Sequence, residues 1–391
     1  MDAIEHATDH AKMILAWLKG FGLRFNPFEF LESSADPALL RYTVIYEGLA
    51  QVWERGSALI FAPVGGGKTA LRLYATWSSL RNQYAFFAIP YVLPEHWDAL
   101  PSPEFDKHGH ALMHASADAV LTVLAAFPQR YLRLHTAAQH TLARLLWQMH
   151  PELDWVLAQW EESDWEEIIG GLLPPALAHG FLAPPVSRLR SLITHLRLEE
   201  TVNQASDPFD AIHALFDFLQ MQFGYRSVHF LVDGVDAFFE TNRDPLPIMG
   251  QRWLGRWLEG FQSKFEPSIF IKVFVPDLLR PHFRPRNNGH RISQNWPEAR
   301  LQWSKGMLVE MLRRRLFVAS DGKFDSLDAL ADIKLYDLDR RIVDLALPAT
   351  PREVLWLANR LFIEHCRHQP IGEYLEEQDV RRVIEAYRIK A

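Results

Sequence analysis

Residues 57–69 read Ser-Ala-Leu-Ile-Phe-Ala-Pro-Val-Gly-Gly-Gly-Lys-Thr, and this stretch decides the fold. Its first six residues are a short apolar run, which predicts a buried strand. Three glycines follow, and residues 68–81 then have a helical pattern. A strand, a glycine-rich turn and a helix in this order predict a turn whose backbone N–H groups point inward, because no side chains block them.

The lysine and threonine at the start of this helix match the pattern G-x-x-x-x-G-K-[ST], with Ala62 in place of the first glycine. In this pattern backbone N–H groups and the helix N-terminus surround a polyphosphate, Lys68 reaches the β- and γ-phosphates, and the Thr69 hydroxyl binds Mg²⁺. The alternative is an ordinary glycine-rich turn before a helix. The residues predicted to surround the phosphates are Pro63, Val64, Gly65, Gly66, Gly67, Lys68, Thr69 and Ala70.

A second apolar stretch, residues 228–232, ends in Asp233. A site for Mg²⁺ and a nucleotide needs such a carboxylate at the end of a neighbouring strand, so Asp233 is a candidate metal and catalytic residue. Many ATPases place glutamate directly after this aspartate, but this chain has Gly234 there. Asp236 is the next acid, and it is either the base that activates water or a helix cap or salt-bridge partner. Slow hydrolysis is therefore expected.

Strand-like and helical stretches alternate between residues 57 and 275, which predicts an α/β fold with a parallel sheet. The predicted strands cover 57–62, 85–92, 227–232 and 269–275. Residues 98–205 read as a helical insertion, and everything after residue 300 reads as helical. We expect an N-terminal helix (1–25), a core (26–300) that contains the insertion, and a C-terminal helical domain (301–391).

The composition excludes several classes of protein. The chain has 391 residues, 48% of them hydrophobic, and a net charge of −7 from 41 basic and 48 acidic residues. These values argue against disorder and against a nucleic-acid coat protein. The single cysteine excludes an intramolecular disulfide, and no apolar run is long enough for a membrane span. We therefore expect a cytoplasmic protein without membrane contact.

Beyond residues 62–69 and 231–236, further segments carry a resemblance to a known family. They are residues 26–42, which begin Asn-Pro-Phe-Glu-Phe-Leu, the strand-like 268–276, the tryptophan- and leucine-containing 301–317, and 345–365 with its internal Pro-Arg. Together they resemble the AAA+ and STAND branches of the P-loop ATPases, STAND being signal-transduction ATPases with numerous domains. The Asp-Gly-Val-Asp spacing is similar to the acidic box of the NACHT and bacterial STAND groups.

The resemblance implies a P-loop αβα sandwich with a helical lid that binds ATP or ADP and Mg²⁺. It also implies that Arg352, at the start of a lid helix, senses the γ-phosphate. Typical STAND chains carry effector and repeat domains, whereas only about 25 residues follow the lid helix here. The expected partners are therefore further copies of the chain or separate effector and sensor proteins, in a setting such as bacterial defence. The alternative is that the insertion 98–205 is itself the recognition surface.

Two alternatives remain open at the level of sequence. The stretch from Arg280 to Arg291 is rich in arginine and histidine and contains no acid, so it is a candidate for nucleic-acid binding or for an arginine finger in a neighbouring subunit. The equally weighted interpretation is a solvated loop. The first alternative function is thus an ATP-dependent DNA-binding assembly factor. The second is a scaffold that binds ATP without hydrolysing it, which Gly234 favours.

Overall fold

The computed structural model describes residues 2–44, 50–81, 86–93, 105–197, 207–235, 247–265, 269–280, 296–368 and 373–390. Within these residues the protein is an α/β structure with one five-stranded sheet. The strands are β1 (Ala58–Ala62), β2 (Phe87–Val92), β3 (Val228–Asp233), β4 (Ile269–Pro276) and β5 (Glu298–Arg300). All neighbouring strands pair in parallel, in the order β2-β3-β4-β1-β5. The predicted α/β class with a parallel sheet is confirmed.

Seventeen helices accompany the sheet in the described residues. In chain order they are α1 (Asp2–Gly20), α2 (Leu39–Tyr42), α3 (Ala50–Trp53), α4 (Lys68–Arg81), α5 (Gly109–Ala126), α6 (Gln129–Leu132), α7 (Thr136–Met149), α8 (Leu153–Glu162), α9 (Trp165–Leu172), α10 (Pro175–Ala178), α11 (Val186–Arg197), α12 (Pro208–Phe223), α13 (Pro247–Phe265), α14 (Lys305–Ala319), α15 (Leu338–Leu345), α16 (Pro351–His368) and α17 (Glu377–Lys390). None of these described helices is both long and apolar enough to cross a membrane.

The chain divides into two compact units. The first contains residues 1–46, 63–67 and 302–391, and its apolar core includes Trp17 of α1, Leu312 of α14 and Phe362 of α16. The second contains residues 47–62 and 68–301 and holds the whole sheet. The described part of the predicted insertion, residues 105–197, belongs to this second unit and forms α5 to α11. The domain boundaries expected from the sequence stay predictions.

The sheet is covered on both faces. Every residue of β1 and β3 is buried, which is typical of parallel strands between helices. Side chains alternate along β3, so Phe230 packs against Phe216 of α12 and Phe261 of α13, while Asp233 lies on the opposite face with α4. The acid at the end of β3 is therefore on the same side of the sheet as the helix that follows β1.

The strand order places β1 where the direction of the connections reverses. From β1 the chain crosses to the edge strand β2, and it then returns through β3 and β4 to β5 on the other side of β1. Because crossover connections are right-handed, the helix after β1 packs on one face, and α12 and α13, which belong to later connections, pack on the other. In open parallel sheets, ligands bind beyond the carboxyl ends of the strands at such a reversal.

Strand β5 was not expected, because residues 276–300 read as a loop. It has three residues, and only Ala299 is buried between the exposed Glu298 and Arg300. A single buried residue gives no apolar run, so hydropathy does not reveal this strand. The strand forms because it pairs with β1, and the local sequence carries no signal of that pairing.

Candidate functional site

The glycine-rich segment forms the turn that its sequence predicts. Strand β1 ends at Ala62, α4 begins at Lys68, and the Gly66 N–H donates to the Pro63 carbonyl oxygen at 2.9 Å. Gly65 has a φ of +70° and Gly67 a φ of +90°, values that L side chains rarely adopt. A Cβ atom at Gly66 would lie 2.7 Å from the Pro63 carbonyl oxygen. The turn is therefore built for residues without side chains.

In the first unit, two residues donate hydrogen bonds to carbonyl oxygens of this turn. The Trp303 indole N–H donates to the Gly66 carbonyl oxygen at 2.8 Å, and the Arg352 backbone N–H donates to the Gly65 carbonyl oxygen at 3.3 Å. A peptide group is planar and trans, so the N–H of Gly67 points away from the indole that binds the Gly66 carbonyl. The contact with Trp303 therefore orients the Gly67 N–H away from the indole.

Arg352 lies at the start of α16, where the lid helix was predicted to begin with Pro-Arg. Its guanidinium donates to Glu32 at 2.8 Å, and the side chains of Arg352 and Glu32 are 39% and 65% exposed. A Cβ atom at Gly65 would lie only 2.8 Å from the Cβ of Arg352. Close approach of the arginine stem to the glycine turn therefore depends on Gly65.

In the second unit, Lys68 and Asp233 are both buried. The Lys68 side chain lies at the carboxyl end of β1, with Nζ 3.5 Å from the Ala62 carbonyl oxygen. Asp233 ends β3, and its Oδ2 accepts from the Thr69 hydroxyl at 2.9 Å. The Gly234 N–H donates to Oδ1 at 2.9 Å. Residues far apart in the sequence, predicted separately as ligands of one metal ion, thus meet in the fold.

Arg72 shares the same carboxylate oxygen, and sequence reasoning did not identify it. Its Nε donates to Asp233 Oδ2 at 3.1 Å, and both side chains are 9% exposed. The signal was present, because Arg72 lies four residues after Lys68 and three after Thr69 on α4, which places all three side chains on neighbouring turns of one face. The sequence alone does not show that a buried acid lies near Arg72.

The donor set fits Mg²⁺. The ion takes oxygen ligands at about 2.0–2.1 Å in an octahedron, so two adjacent ligand oxygens lie about 3 Å apart. The Thr69 hydroxyl and Asp233 Oδ2 are 2.9 Å apart. In the described residues no cluster of three His, Cys, Asp or Glu side chains offers a metal site made by protein alone. Mg²⁺ at this position would take its other ligands from phosphate oxygens and water, as it commonly does.

Gly234 excludes the acid that often follows this aspartate. Its φ is +86°, and a Cβ atom there would lie 2.9 Å from the Leu93 carbonyl oxygen and 3.2 Å from the Leu93 nitrogen. Leu93 also donates its N–H to the Asp233 carbonyl oxygen at 2.9 Å, so this contact is part of the chain path beyond β2 and β3. A glutamate at position 234 would require the backbone to move. Asp236, the predicted base, lies outside the described residues.

Lys272 has a structural role in the second unit. It lies on β4, and its buried ammonium donates to three backbone carbonyl oxygens, those of Gln51, Glu54 (2.8 Å) and Gly56 (2.6 Å). Burial lowers the pKa of Lys272 to about 8. Lys272 thereby fixes residues 51–56, the segment that leads into β1.

His229 lies on the same face of the sheet and is kept neutral. Its ring stacks on Phe86 at a centroid distance of 4.6 Å and shares a hydrogen bond with the Ser227 hydroxyl at 3.0 Å. Burial, reinforced by the positive charges of Lys272 and Arg55, lowers the pKa of His229 to about 3. On this face of the sheet a buried side chain is charged only where it has hydrogen-bond or ion-pair partners, as Lys272 has.

The predicted arginine-rich stretch is described only at its start. Arg280 donates to Glu298 of β5 at 3.1 Å, and Arg300 forms a forked pair with Asp277 at the end of β4. The other basic residues of the stretch, from His282 to Arg291, lie outside the described residues. In the first unit Arg315, one of three consecutive arginines, forms a buried ion pair with Asp36 at 3.1 Å.

No protein-family model, no curated protein and no solved structure matches the chain.

Proposed function

We propose that the chain is an ATP-binding molecular switch of the AAA+/STAND kind, which couples Mg-ATP binding to self-assembly or to signalling through a separate partner. The observation that carries the proposal is the 2.9 Å contact between the Thr69 hydroxyl and the Asp233 carboxylate. A hydroxyl directly after the glycine-lysine motif and an acid at the end of another strand are the two protein ligands that such a site needs. An ordinary glycine-rich turn does not require the acid.

The chain's own groups supply binding and charge neutralisation. N–H groups of the turn and the N-terminus of α4 receive the phosphate oxygens, and the buried Lys68 ammonium reaches the β- and γ-phosphates. Thr69 and Asp233 would hold Mg²⁺, which would supply positive charge to neutralise the phosphates. In this proposal Arg352 leaves Glu32 to contact the γ-phosphate, and the first unit thereby reports whether ATP or ADP is bound. The preference for adenine rests on the family resemblance alone.

Hydrolysis is assigned to Asp236, which would take the proton of the water that attacks the γ-phosphorus as the bond to the β-phosphate oxygen breaks and ADP leaves. Lys68 and Arg352 would stabilise the negative charge on the phosphates, and Asp233 would hold the metal ion. A second candidate function is a scaffold that holds ATP without turnover. The observation in its favour is the backbone at Gly234, which leaves no space for an acid directly after Asp233. Turnover by the native protein, lost in Asp236→Asn with ATP binding unchanged, supports the switch that hydrolyses. Binding without turnover supports the scaffold.

The proposal is tested first by ATP binding to Lys68→Ala, measured by calorimetry. We expect the affinity to fall about 100-fold, or ~2.7 kcal/mol, because the ammonium–phosphate contact is charge-assisted and buried. Lys305→Ala is the matched control, since this lysine is exposed and pairs with Asp344 outside the motif. Equal ATP affinity in both variants would contradict the site. Light scattering with no nucleotide, ATP, ADP and a non-hydrolysable analogue then tests nucleotide-dependent assembly.

A further inference from the structure

At the candidate metal site, the negative charge of Asp233 is already paired with a positive charge of the protein itself. Asp233 Oδ2 accepts from Arg72 Nε at 3.1 Å and from the Thr69 hydroxyl at 2.9 Å, so both donors use the oxygen that a metal ion would need. The remaining oxygen, Oδ1, accepts the Gly234 N–H. The side chains of Arg72 and Asp233 are each only 9% exposed, so water screens this pair weakly.

Arg72 changes the net charge beside the carboxylate of Asp233. The charges of Asp233 and Arg72 cancel, so this pair adds no net charge beside Lys68. An acid without such a partner repels the phosphates of a nucleotide until Mg²⁺ covers it. With Arg72 in place, that repulsion is offset by a cation that belongs to the chain.

We propose that Arg72 is a positioning residue that serves as an internal counter-ion to Asp233 and thereby reduces the dependence of nucleotide binding on Mg²⁺. The inference rests on the proposed function, because it concerns the same phosphate site. Arg72 fixes the orientation of the carboxylate and competes with the metal ion for Oδ2. Mg²⁺ therefore gains less from this acid than it would from a free carboxylate, and ATP without metal is repelled less.

The experiment compares the ATP dissociation constant in Mg²⁺ with that in EDTA, for the native protein and for Arg72→Gln. Glutamine retains a hydrogen-bond donor for Asp233 but removes the positive charge. We expect the EDTA-to-Mg²⁺ ratio of dissociation constants to rise about tenfold in Arg72→Gln, the size of one charge–charge interaction in a partly screened site. Arg72→Lys, which retains the charge, is the matched control and is expected to keep the native ratio.

A second measurement uses Mg²⁺ alone. Because Arg72→Gln removes the positive charge beside the carboxylate, millimolar Mg²⁺ without nucleotide is expected to raise the melting temperature of this variant more than that of the native protein. An equal Mg²⁺ effect in both proteins, together with an unchanged ratio, would overturn the inference. A purely structural ion pair would lower the melting temperature of Arg72→Gln and leave both metal readouts as in the native protein.

The double variant Arg72→Gln/Asp233→Asn covers the case in which the single variant does not fold. Its amide pair has the same net charge of zero as the native pair, so its ATP affinity in EDTA is expected to equal the native value. A tenfold difference in that affinity would contradict the counter-ion role. If the native protein binds ATP in neither condition, the proposed function itself fails, and Lys68→Ala then shows no difference from the native protein.

Discussion

Two arginine–carboxylate pairs, one in each unit, have similar geometry and opposite surroundings. Arg72 and Asp233 are joined at 3.1 Å in the second unit, and each side chain is 9% exposed. Arg352 and Glu32 are joined at 2.8 Å in the first unit, with side chains 39% and 65% exposed. The shorter contact belongs to the pair in water, so distance alone does not rank the two.

Burial separates their energetics. An exposed ion pair contributes about 0–1 kcal/mol, because water solvates both charges when they separate. In a buried pair, removal of one partner leaves a desolvated charge and costs about 3–5 kcal/mol. The Arg72 pair is therefore a fixed part of its unit, whereas the Arg352 pair can open at small cost. A group that contacts a ligand in one state and a protein acid in another needs an ion pair that opens at small cost, as the Arg352 pair does.

Removing each arginine in turn tests most directly whether burial distinguishes the two pairs. We expect Arg72→Met to lower the free energy of unfolding by about 3–5 kcal/mol, because Asp233 is left buried without its counter-ion. Arg352→Met removes a side chain of the same type and is expected to cost less than about 1 kcal/mol. Urea unfolding, followed by circular dichroism, measures both.

A second substitution isolates the cause of that loss. Replacing Asp233 by asparagine in the Arg72→Met background removes the unpaired charge, so the double variant is expected to recover part of the stability. Equal losses for Arg72→Met and Arg352→Met would mean that burial does not distinguish the two pairs.

The sequence predicted the backbone part of the candidate site because that part is local. The apolar run before Ala62, the glycines and the helix from Lys68 lie within one short stretch, and residues 228–232 end in their acid without any tertiary information. The α/β class followed from the alternation of such stretches. Periodicity shows which face of an element is buried, and here both strands are buried along their whole length.

The partners of the charged groups were not predictable in the same way. Arg72 pairs with an acid 161 positions away, and Arg352 with one 320 positions away. No pattern along the chain links such residues, since only the fold brings them together. The same reason hides β5, whose exposed Glu298 and Arg300 bind side chains of the segment after β4. Polar residues that pair with each other resemble an ordinary exposed loop in the sequence.

The free energy of unfolding at acid pH extends the comparison to His229, a buried group for which the described residues show no counter-ion. The pKa of His229 is lowered to about 3 in the folded chain, against about 6.5 in the unfolded chain. Below pH 6.5 the unfolded state therefore binds a proton that the folded state does not, and the free energy of unfolding falls as pH falls. The slope from this one group is at most about 1.4 kcal/mol per pH unit. Urea unfolding at several values between pH 6.5 and 4.5 measures it.

The contribution of His229 is obtained by difference. His229→Gln removes the titrating group, so its stability is expected to vary less with pH than that of the native protein over the same range. The matched control is His140→Gln on α7, where the ring is exposed to water. If His229→Gln and His140→Gln show the same pH dependence, the buried face of the sheet does not exclude an unpaired positive charge.

The smallest expected effect concerns the exposed pair. Glu32→Gln removes the acid that holds the Arg352 guanidinium, and we expect stability to change by less than about 1 kcal/mol because both groups are solvated. In the proposed switch the arginine is then free to contact the γ-phosphate, so ATP affinity is expected to rise about threefold while ADP affinity stays unchanged. Competition with a fluorescent nucleotide measures both constants.

The controls for Glu32→Gln follow from the same charges. Arg352→Ala removes the cation and is expected to abolish the gain when combined with Glu32→Gln, since no guanidinium is then released. Raising the ionic strength weakens an exposed pair, so the difference between Glu32→Gln and the native protein is expected to shrink at high salt. An equal gain for ATP and ADP would instead indicate a general loss of negative charge near the phosphates, and Arg352 would not be a sensor of the γ-phosphate.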